Sequence, residues 1–210
     1  MKNVKKEALL WLQLSSFIAI WAVILYLTKT QLAINWEAVR KLPDVITVYV
    51  ILSFSFTKWF WRWPIFRGWL VPLPDLQGTW AGYINSNWKD PATGNHITAV
   101  PIKLVIRQTF STISCALFTK ESESYSTVAQ ISEDEDSDTF YLRYNYTNRP
   151  KATIRDRSTI HDGAVRLRVI SRPERLLEGE FWTSRCTAGD ISLKFLGHEL
   201  LEKFPDPHRK

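Results

Sequence analysis

The sequence predicts an N-terminal two-helix transmembrane hairpin, residues 1–74, followed by an all-β domain of eight antiparallel strands, residues 75–210. Two observations carry this prediction. Two apolar segments lie near the N terminus, and short segments with alternating apolar and polar residues follow residue 74. A chain of 210 residues with 45% hydrophobic content accommodates one packed domain and a short additional module, which excludes a large multidomain enzyme.

The first apolar segment, residues 8–28, contains 21 residues and no charge. As a helix it would be about 31 Å long, which matches the hydrocarbon core of a bilayer. A cleaved signal peptide is the alternative, because Lys2, Lys5 and Lys6 form a positive N-terminal region. The stretch is too long for that and lacks an Ala-x-Ala-like cleavage site, so we expect a transmembrane helix.

The second apolar segment, residues 45–57, has only thirteen uncharged residues. It crosses a bilayer only if Pro43 begins the helix, Lys58 extends its charge to the headgroups, and Trp59 and Trp61 lie in the interface. The residues that follow interleave tryptophans with basic side chains, which is typical of an aromatic belt. This composition predicts a second span.

Two spans place both chain ends on the same side of the membrane. The outer flanks are more basic than the connecting loop, so the positive-inside rule favours cytoplasmic ends. Five polar side chains lie inside the spans, and they either find partners in helices of other copies or bond to their own helix backbone. These residues are Gln13, Ser15, Ser16, Ser53 and Ser55.

The β domain contains eight candidate strands. They cover residues 76–88, 97–108, 112–119, 124–132, 138–146, 163–171, 177–187 and 190–196. Eight strands must hide their edges, so we expect an up-and-down barrel whose interior holds side chains or one small ligand. Gly78-Thr79-Trp80 resembles the G-x-W pattern of a lipocalin first strand. The alternative is that Trp80 only plugs one end of the barrel.

The charge distribution excludes a generic nucleic-acid binder. The formal charge is +6, but residues 1–74 hold nine basic and three acidic residues, and the remainder holds eighteen of each. The β domain is polarised: residues 143–175 hold nine basic and three acidic residues, whereas residues 121–138 hold seven acidic ones and no basic one. A positive rim beside an apolar cup, with a long connection at residues 147–162, suits an anionic small molecule with aromatic rings. Attraction to anionic lipid is the alternative.

The chain carries few signals of catalysis or metal binding. Motifs of nucleotide hydrolases, dinucleotide enzymes, serine hydrolases and zinc proteases are missing, and the four histidines, His96, His161, His198 and His208, lack the spacing of a metal site. Cys115 and Cys186 are too few for a zinc cluster and are interpreted as core thiols. We therefore expect no enzyme, no metal and no cofactor.

The candidate binding residues come from the fifth and seventh predicted strands. Alternation along residues 177–187 places Phe181, Thr183, Arg185 and Thr187 on one wall, where Arg185 can pair with a phosphate. The fifth strand supplies rings for stacking and an amide that can read a base edge. Alternatively, its inward rings are core and Arg185 packs over Trp80 as a lid. The complete candidate set is Trp80, Arg143, Tyr144, Asn145, Tyr146, His161, Thr183 and Arg185.

Five short motifs behind the two apolar segments carry a family resemblance. They are LQGTWAGYI, IRQTFSTI, YLRYNYTNRP, IHDG and LEGEFWTSRCTAGDI. With them the whole chain resembles the two-transmembrane β-barrel effectors of CBASS antiphage systems, the CD-NTase-associated protein 15 family.

The resemblance implies a lipocalin-like barrel that senses a cyclic dinucleotide made by a partner nucleotidyltransferase during phage infection. It further implies homo-oligomerisation, disruption of the bacterial inner membrane and death of the infected cell, with the barrel and both termini in the cytoplasm and no DNA or RNA polymer as partner. The matching motifs make Tyr144, Tyr146, His161, Thr183 and Arg185 the preferred ligand-binding candidates. A membrane-tethered lipocalin-like carrier of an apolar ligand is the competing interpretation.

Overall fold

The computed structural model describes residues 6–31, 33, 35–89, 94, 99–134 and 137–205. Two of the four histidines, His96 and His208, lie outside the described residues. The chain forms two compact units, one within residues 2–72 and the other within residues 73–210.

The N-terminal unit is a helical hairpin. Its helices are α1 (Lys6–Leu27), α2 (Trp36–Arg40) and α3 (Leu42–Lys58), followed by short 3-10 turns at Phe60–Arg62 and Pro64–Phe66. Asn35 starts α2, because its Oδ1 accepts a hydrogen bond from the Ala38 N–H at 2.9 Å. Helices α1 and α3 contact each other, with the rings of Phe17 and Tyr49 edge to face at 5.7 Å.

One described helix is long and apolar enough to cross a bilayer, over Leu10–Leu27, which suggests membrane association. Its side chains are largely exposed, as a lipid-facing helix requires. The second predicted span is helical as well, but α3 has only 17 residues against the roughly 20 that a perpendicular span needs, so its membrane role stays a prediction. Within α1, Ser15 Oγ donates to the Leu12 carbonyl at 3.0 Å, so this hydroxyl bonds to its own helix.

The second unit is a closed barrel of eight antiparallel strands in chain order, with β1 paired to β8. This confirms the predicted eight-stranded antiparallel barrel. The strands are β1 (Gly78–Ser86), β2 (Val100–Gln108), β3 (Ile113–Phe118), β4 (Ser122–Asp134), β5 (Thr139–Pro150), β6 (His161–Ile170), β7 (Leu176–Thr183) and β8 (Ala188–Gly197).

The long connection predicted at residues 147–162 is shorter than expected. Strand β5 continues to Pro150 and β6 begins at His161, because Asn148 pairs with His161 and Thr147 pairs with Asp162 across the ladder. The loop is therefore residues 151–160, with a 3-10 turn at Ala152–Ile154.

The seventh strand also ends earlier than predicted, at Thr183. The Thr183 N–H donates to the Thr187 carbonyl at 2.9 Å and closes a turn, so Arg185 lies in that turn rather than on the strand wall. Cys186 lies in the same turn with a φ of 59° and is exposed, which corrects its interpretation as a core thiol, whereas Cys115 is buried.

One end of the barrel is filled by Trp80, whose side chain is 1% exposed. Its Nε1 donates to the Leu76 carbonyl at 2.9 Å, and its ring meets Phe195 at 5.1 Å. The cation over these rings is Arg175, with its guanidinium carbon 3.7 Å from the Phe195 centroid and 5.3 Å from that of Trp80. Trp80 therefore plugs this end, and the proposed lid of Arg185 over it is not formed.

We expect Arg175→Met to lower the free energy of unfolding of the barrel by about 1–3 kcal/mol, because it removes the cation over the rings of Trp80 and Phe195 and the hydrogen bond from Nη2 to the Asp75 carbonyl. The measurement is urea unfolding of the full chain in detergent, followed by near-ultraviolet circular dichroism. Arg143→Met is the matched control, since that guanidinium stacks over Tyr141 on the exposed outer wall. We expect this substitution to lower the free energy of unfolding by about 0.5 kcal/mol. Equal losses for both variants would contradict the role of Arg175 as a cap.

Candidate ligand-binding site

A cavity of about 200 Å³ lies at the barrel end where β1, β3, β5 and β7 finish. Its deep wall is apolar, formed by Ile84, Leu117, Val165, Phe181 and Ile191. Nearer the mouth the inward residues are short and polar, and these are Ser124, Asn148, Thr183 and Thr187. The interior stays open here because these side chains do not reach across a closed eight-stranded sheet as Trp80 does.

Two tyrosine rings from β5 occupy one side of the cavity. Tyr144 and Tyr146 alternate with outward residues, and their ring centroids lie 6.1 Å apart. The neighbouring position on β6 is Gly163, where an added Cβ would lie 2.5 Å from the Tyr146 ring. The glycine therefore leaves room for the Tyr146 ring to lie over β6.

The Tyr144 hydroxyl is a buried polar group without a partner. The residue is 4% exposed and lines the cavity, and among the described residues its Oη has no hydrogen-bond partner. Burial raises the pKa of Tyr144 well above its ordinary value, so the hydroxyl stays protonated. An unsatisfied buried hydroxyl costs about 1–3 kcal/mol, which a polar group of a bound molecule or a water would offset.

Arg185 carries its positive charge to the cavity from the turn between β7 and β8. One terminal nitrogen donates to Ser158 Oγ at 3.2 Å, and the other lies 3.4 Å from His161 Nε2. The Nε atom is buried and, within the described residues, has no partner. Burial lowers the pKa of Arg185, but a guanidinium remains charged at neutral pH. The group thus retains donors for an anion.

His161 is held neutral beside this guanidinium. Its Nδ1 lies 2.8 Å from the Thr159 carbonyl, so Nδ1 carries the proton and Nε2 is left as an acceptor facing Arg185. Burial lowers the pKa of His161, and the neighbouring guanidinium of Arg185 lowers it further, while the bond to Thr159 opposes both. A cationic imidazolium would be unfavourable here in the absence of an anion.

A second cation lies at the rim. Arg157, in the loop of residues 151–160, pairs with Glu121 at 2.6 Å, and both side chains line the cavity. The Lys151 N–H donates to the Glu121 carbonyl at 2.8 Å, so the loop is joined twice to the turn between β3 and β4. The two side chains are about half exposed, and the pair is accessible to a competing anion.

The predicted positive rim is much smaller than the basic residues of 143–175 implied. Arg143, Arg166 and Arg168 point outward from β5 and β6, and Arg175 covers the other end of the barrel. Within the described residues, Arg157 alone of this group lines the cavity.

The structure brings together five of the eight candidate residues. Tyr144, Tyr146, His161, Thr183 and Arg185 line the cavity. The other three do not: Arg143 and Asn145 lie on the outer wall because side chains alternate along a strand, and Trp80 fills the opposite end.

Sequence reasoning missed several residues of the cavity. Asn148 and its partner Ser124 were findable, because Asn148 shares the parity of Tyr144 and Tyr146 once β5 is extended beyond residue 146. Arg157 and Ser158 lie in a loop, and no periodic pattern indicates where a loop side chain points.

Comparison with known proteins matches the chain to a family model and to named relatives. The family model described as "Cap15, cyclic dinucleotide receptor domain" matches residues 71–194. A protein of Escherichia albertii named CD-NTase-associated protein 15 is 30% identical over 164 residues, which cover 73% of this chain and 79% of the relative. A protein of the same name from Staphylococcus schleiferi is 27% identical over 151 residues, which cover 72% of this chain and 76% of the relative. The resemblance drawn from the motifs is confirmed, and the chain belongs to the Cap15 family.

Proposed function

We propose that the protein is a membrane effector of antiphage defence, in which the β-barrel of residues 75–210 binds a cyclic dinucleotide and residues 1–74 act on the inner membrane. The observation that carries the proposal is the position of the Arg185 guanidinium, which lines a cavity together with the rings of Tyr144 and Tyr146. The ligand class is that in the description of the family and fits this chemistry.

A cyclic dinucleotide matches these groups one by one. A phosphate accepts hydrogen bonds from a guanidinium, and an aromatic base stacks on a tyrosine ring. The 200 Å³ of the cavity are below the roughly 300–1,000 Å³ that enclose a drug-sized ligand, so one base and its neighbouring phosphate enter while the rest stays at the mouth. At the mouth Arg157 offers a second cation if the ligand displaces Glu121.

The proposed action is binding without consumption of the nucleotide. Ligand binding shifts self-association only by the difference between its affinities for the assembled and dispersed states, and each 1.4 kcal/mol of difference changes that equilibrium about tenfold. Helices α1 and α3 would cross the inner membrane as a hairpin, with Pro43 at the start of α3 and Lys58 reaching the headgroups. Clustered hairpins would then disrupt the bilayer and kill the cell.

A carrier of an apolar ligand is the second candidate, favoured by the apolar deep wall of the cavity. The deciding experiment is isothermal titration of the full chain in detergent with a panel of cyclic dinucleotides and with fatty acids. We expect saturable binding of at least one dinucleotide, with the nucleotide recovered intact. Binding of fatty acids alone would support the carrier, and loss of the nucleotide would support an enzyme.

The membrane step has its own test. The full chain is reconstituted in vesicles of bacterial lipid that contain a self-quenched dye, and the cyclic dinucleotide that binds is added. We expect dye release only when the ligand is present. Release without ligand, or no release at a saturating concentration, would contradict a ligand-gated effector.

Arg185→Gln is expected to weaken dinucleotide binding about 10- to 100-fold, because charge-assisted hydrogen bonds to phosphate are replaced by weaker neutral ones. The measurement is titration calorimetry at one ionic strength. Arg143→Gln is the matched control, since it removes the same charge from the outer wall and should change the affinity less than threefold. An equal effect of both substitutions would indicate general electrostatic attraction instead of a contact.

Binding is expected to tighten as the pH falls from about 7.5 to 6. In the free protein, burial and Arg185 lower the pKa of His161, whereas a bound phosphate beside the imidazole raises that pKa. At pH values around the ordinary histidine pKa of 6.5, His161 is then more protonated in the complex than in the free protein. Calorimetry in two buffers with different ionisation enthalpies measures this uptake. His161→Gln should abolish it, whereas an unchanged uptake in that variant would show that another group titrates.

A further inference from the structure

A buried pair of polar side chains faces the cavity beside the Tyr146 ring. Ser124 on β4 and Asn148 on β5 are direct neighbours in the ladder, with exposed fractions of 6% and 8%. Both line the cavity, and Ser124 Oγ donates to Asn148 Oδ1 at 2.9 Å. Neither residue belongs to the candidate set drawn from the sequence.

The hydrogen bond from Ser124 determines which part of the amide is available. Since Oδ1 already accepts from the hydroxyl, the amide nitrogen Nδ2 is the group left with unused hydrogen-bonding capacity. Among the described residues, Nδ2 has no partner. Asn148 thus presents two N–H donors to the cavity, where a bound molecule with an acceptor would satisfy them.

The position of the amide makes a base edge available as that acceptor. Asn148 follows Tyr146 by one inward position on β5, so a base stacked on the Tyr146 ring has its edge beside the amide. The cations that a phosphate would meet, Arg157 and Arg185, extend from the loop and the turn at the mouth. His161, the ladder neighbour of Asn148, lies 3.4 Å from Arg185, so a phosphate there leaves the adjoining amide to the base of the same nucleotide. A stacking ring with an adjacent fixed amide is the arrangement that reads single bases in nucleic-acid-binding proteins.

We propose, on the basis of the function proposed above, that Asn148 selects the base of the cyclic dinucleotide by donating from Nδ2 to a carbonyl oxygen on the base edge, and that Ser124 positions the amide for this. The site therefore prefers a base with an exocyclic carbonyl to the otherwise similar base with an exocyclic amino group. Asn148 is a specificity residue, and Ser124 is a positioning residue that need not touch the ligand.

The test uses ligand pairs that differ at this group. The full chain in detergent is titrated at pH 8 with cyclic di-uridylate against cyclic di-cytidylate, and with cyclic di-inosinate against cyclic di-adenylate. In whichever pair binds, we expect the carbonyl member to bind roughly tenfold more tightly, which is about the discrimination of one well-placed hydrogen bond. Equal affinity within each pair, or tighter binding of the amino member, would overturn the proposal.

Two substitutions of Asn148 test whether its amide contacts the base. Asn148→Asp replaces the donor with a carboxylate acceptor, so the ratio of affinities should invert in favour of the amino member. Asn148→Leu offers neither donor nor acceptor, so the ratio should approach one. Asn145→Asp is the matched control, because it adds the same charge to the same strand on the outer wall, and its ratio should equal that of the wild type. A uniform loss for both ligands in Asn148→Asp and an unchanged ratio in Asn148→Leu would place the amide on sugar or phosphate and overturn the proposal.

Ser124→Ala tests the positioning role. Without the hydroxyl the amide is free to turn over, so the ratio should fall toward one while the amino member binds as well as before or better. Ser122→Ala removes another hydroxyl of the same cavity, which bonds to Thr119 instead of to the amide, and should leave the ratio unchanged. A ratio that survives Ser124→Ala would remove Ser124 from the proposal.

If the protein binds none of the cyclic dinucleotides, the proposed function itself fails, whereas equal binding within the pairs removes only the base selection.

Discussion

The interior of a closed eight-stranded sheet is just wide enough for side chains, and the candidate site lies where large side chains no longer fill that interior. At one end Trp80, Phe195 and the guanidinium of Arg175 close the barrel. At the other end serines, threonines, an asparagine and a glycine face inward, and they leave about 200 Å³ open. The same strands thus provide a packed base for stability and a polar recess for binding.

The recess has an unusual balance of satisfied and unsatisfied groups. Ser124 and Asn148 satisfy each other in part, and Thr183 and Thr187 share a hydrogen bond of 2.6 Å, yet the Tyr144 hydroxyl has no partner within the described residues. A buried polar group without a partner destabilises a fold, and Tyr144 and Arg185 each bring one such atom to the residues that line this cavity. His161 adds to this, because its neutral form is the one that tolerates Arg185 at close range.

The fold was predictable in large part because alternation along a strand is a local signal. It located all eight strands, whereas Tyr144 and Tyr146 were preferred because they lie in motifs that resemble the family. Residues of the candidate site were predictable from the sequence only where they lie on strands. Arg185 was selected as a strand residue, but the strand ends at Thr183, and Arg143 and Asn145 were selected although their side chains point outward. Arg157 and Ser158 depend on the path of a loop, and that path follows from the long-range contact with Glu121, which no local pattern contains.

The turn between β7 and β8 has a practical consequence. The chain has two cysteines: Cys115 is buried in the core, where burial raises the pKa of its thiol, and Cys186 is exposed next to Arg185. A maleimide dye added to the folded protein would therefore attach at one position only, without any engineered substitution. Because that position adjoins the guanidinium at the mouth of the cavity, the fluorescence of the attached dye offers a direct optical reporter of occupancy in a protein whose ten tryptophans make intrinsic emission hard to assign.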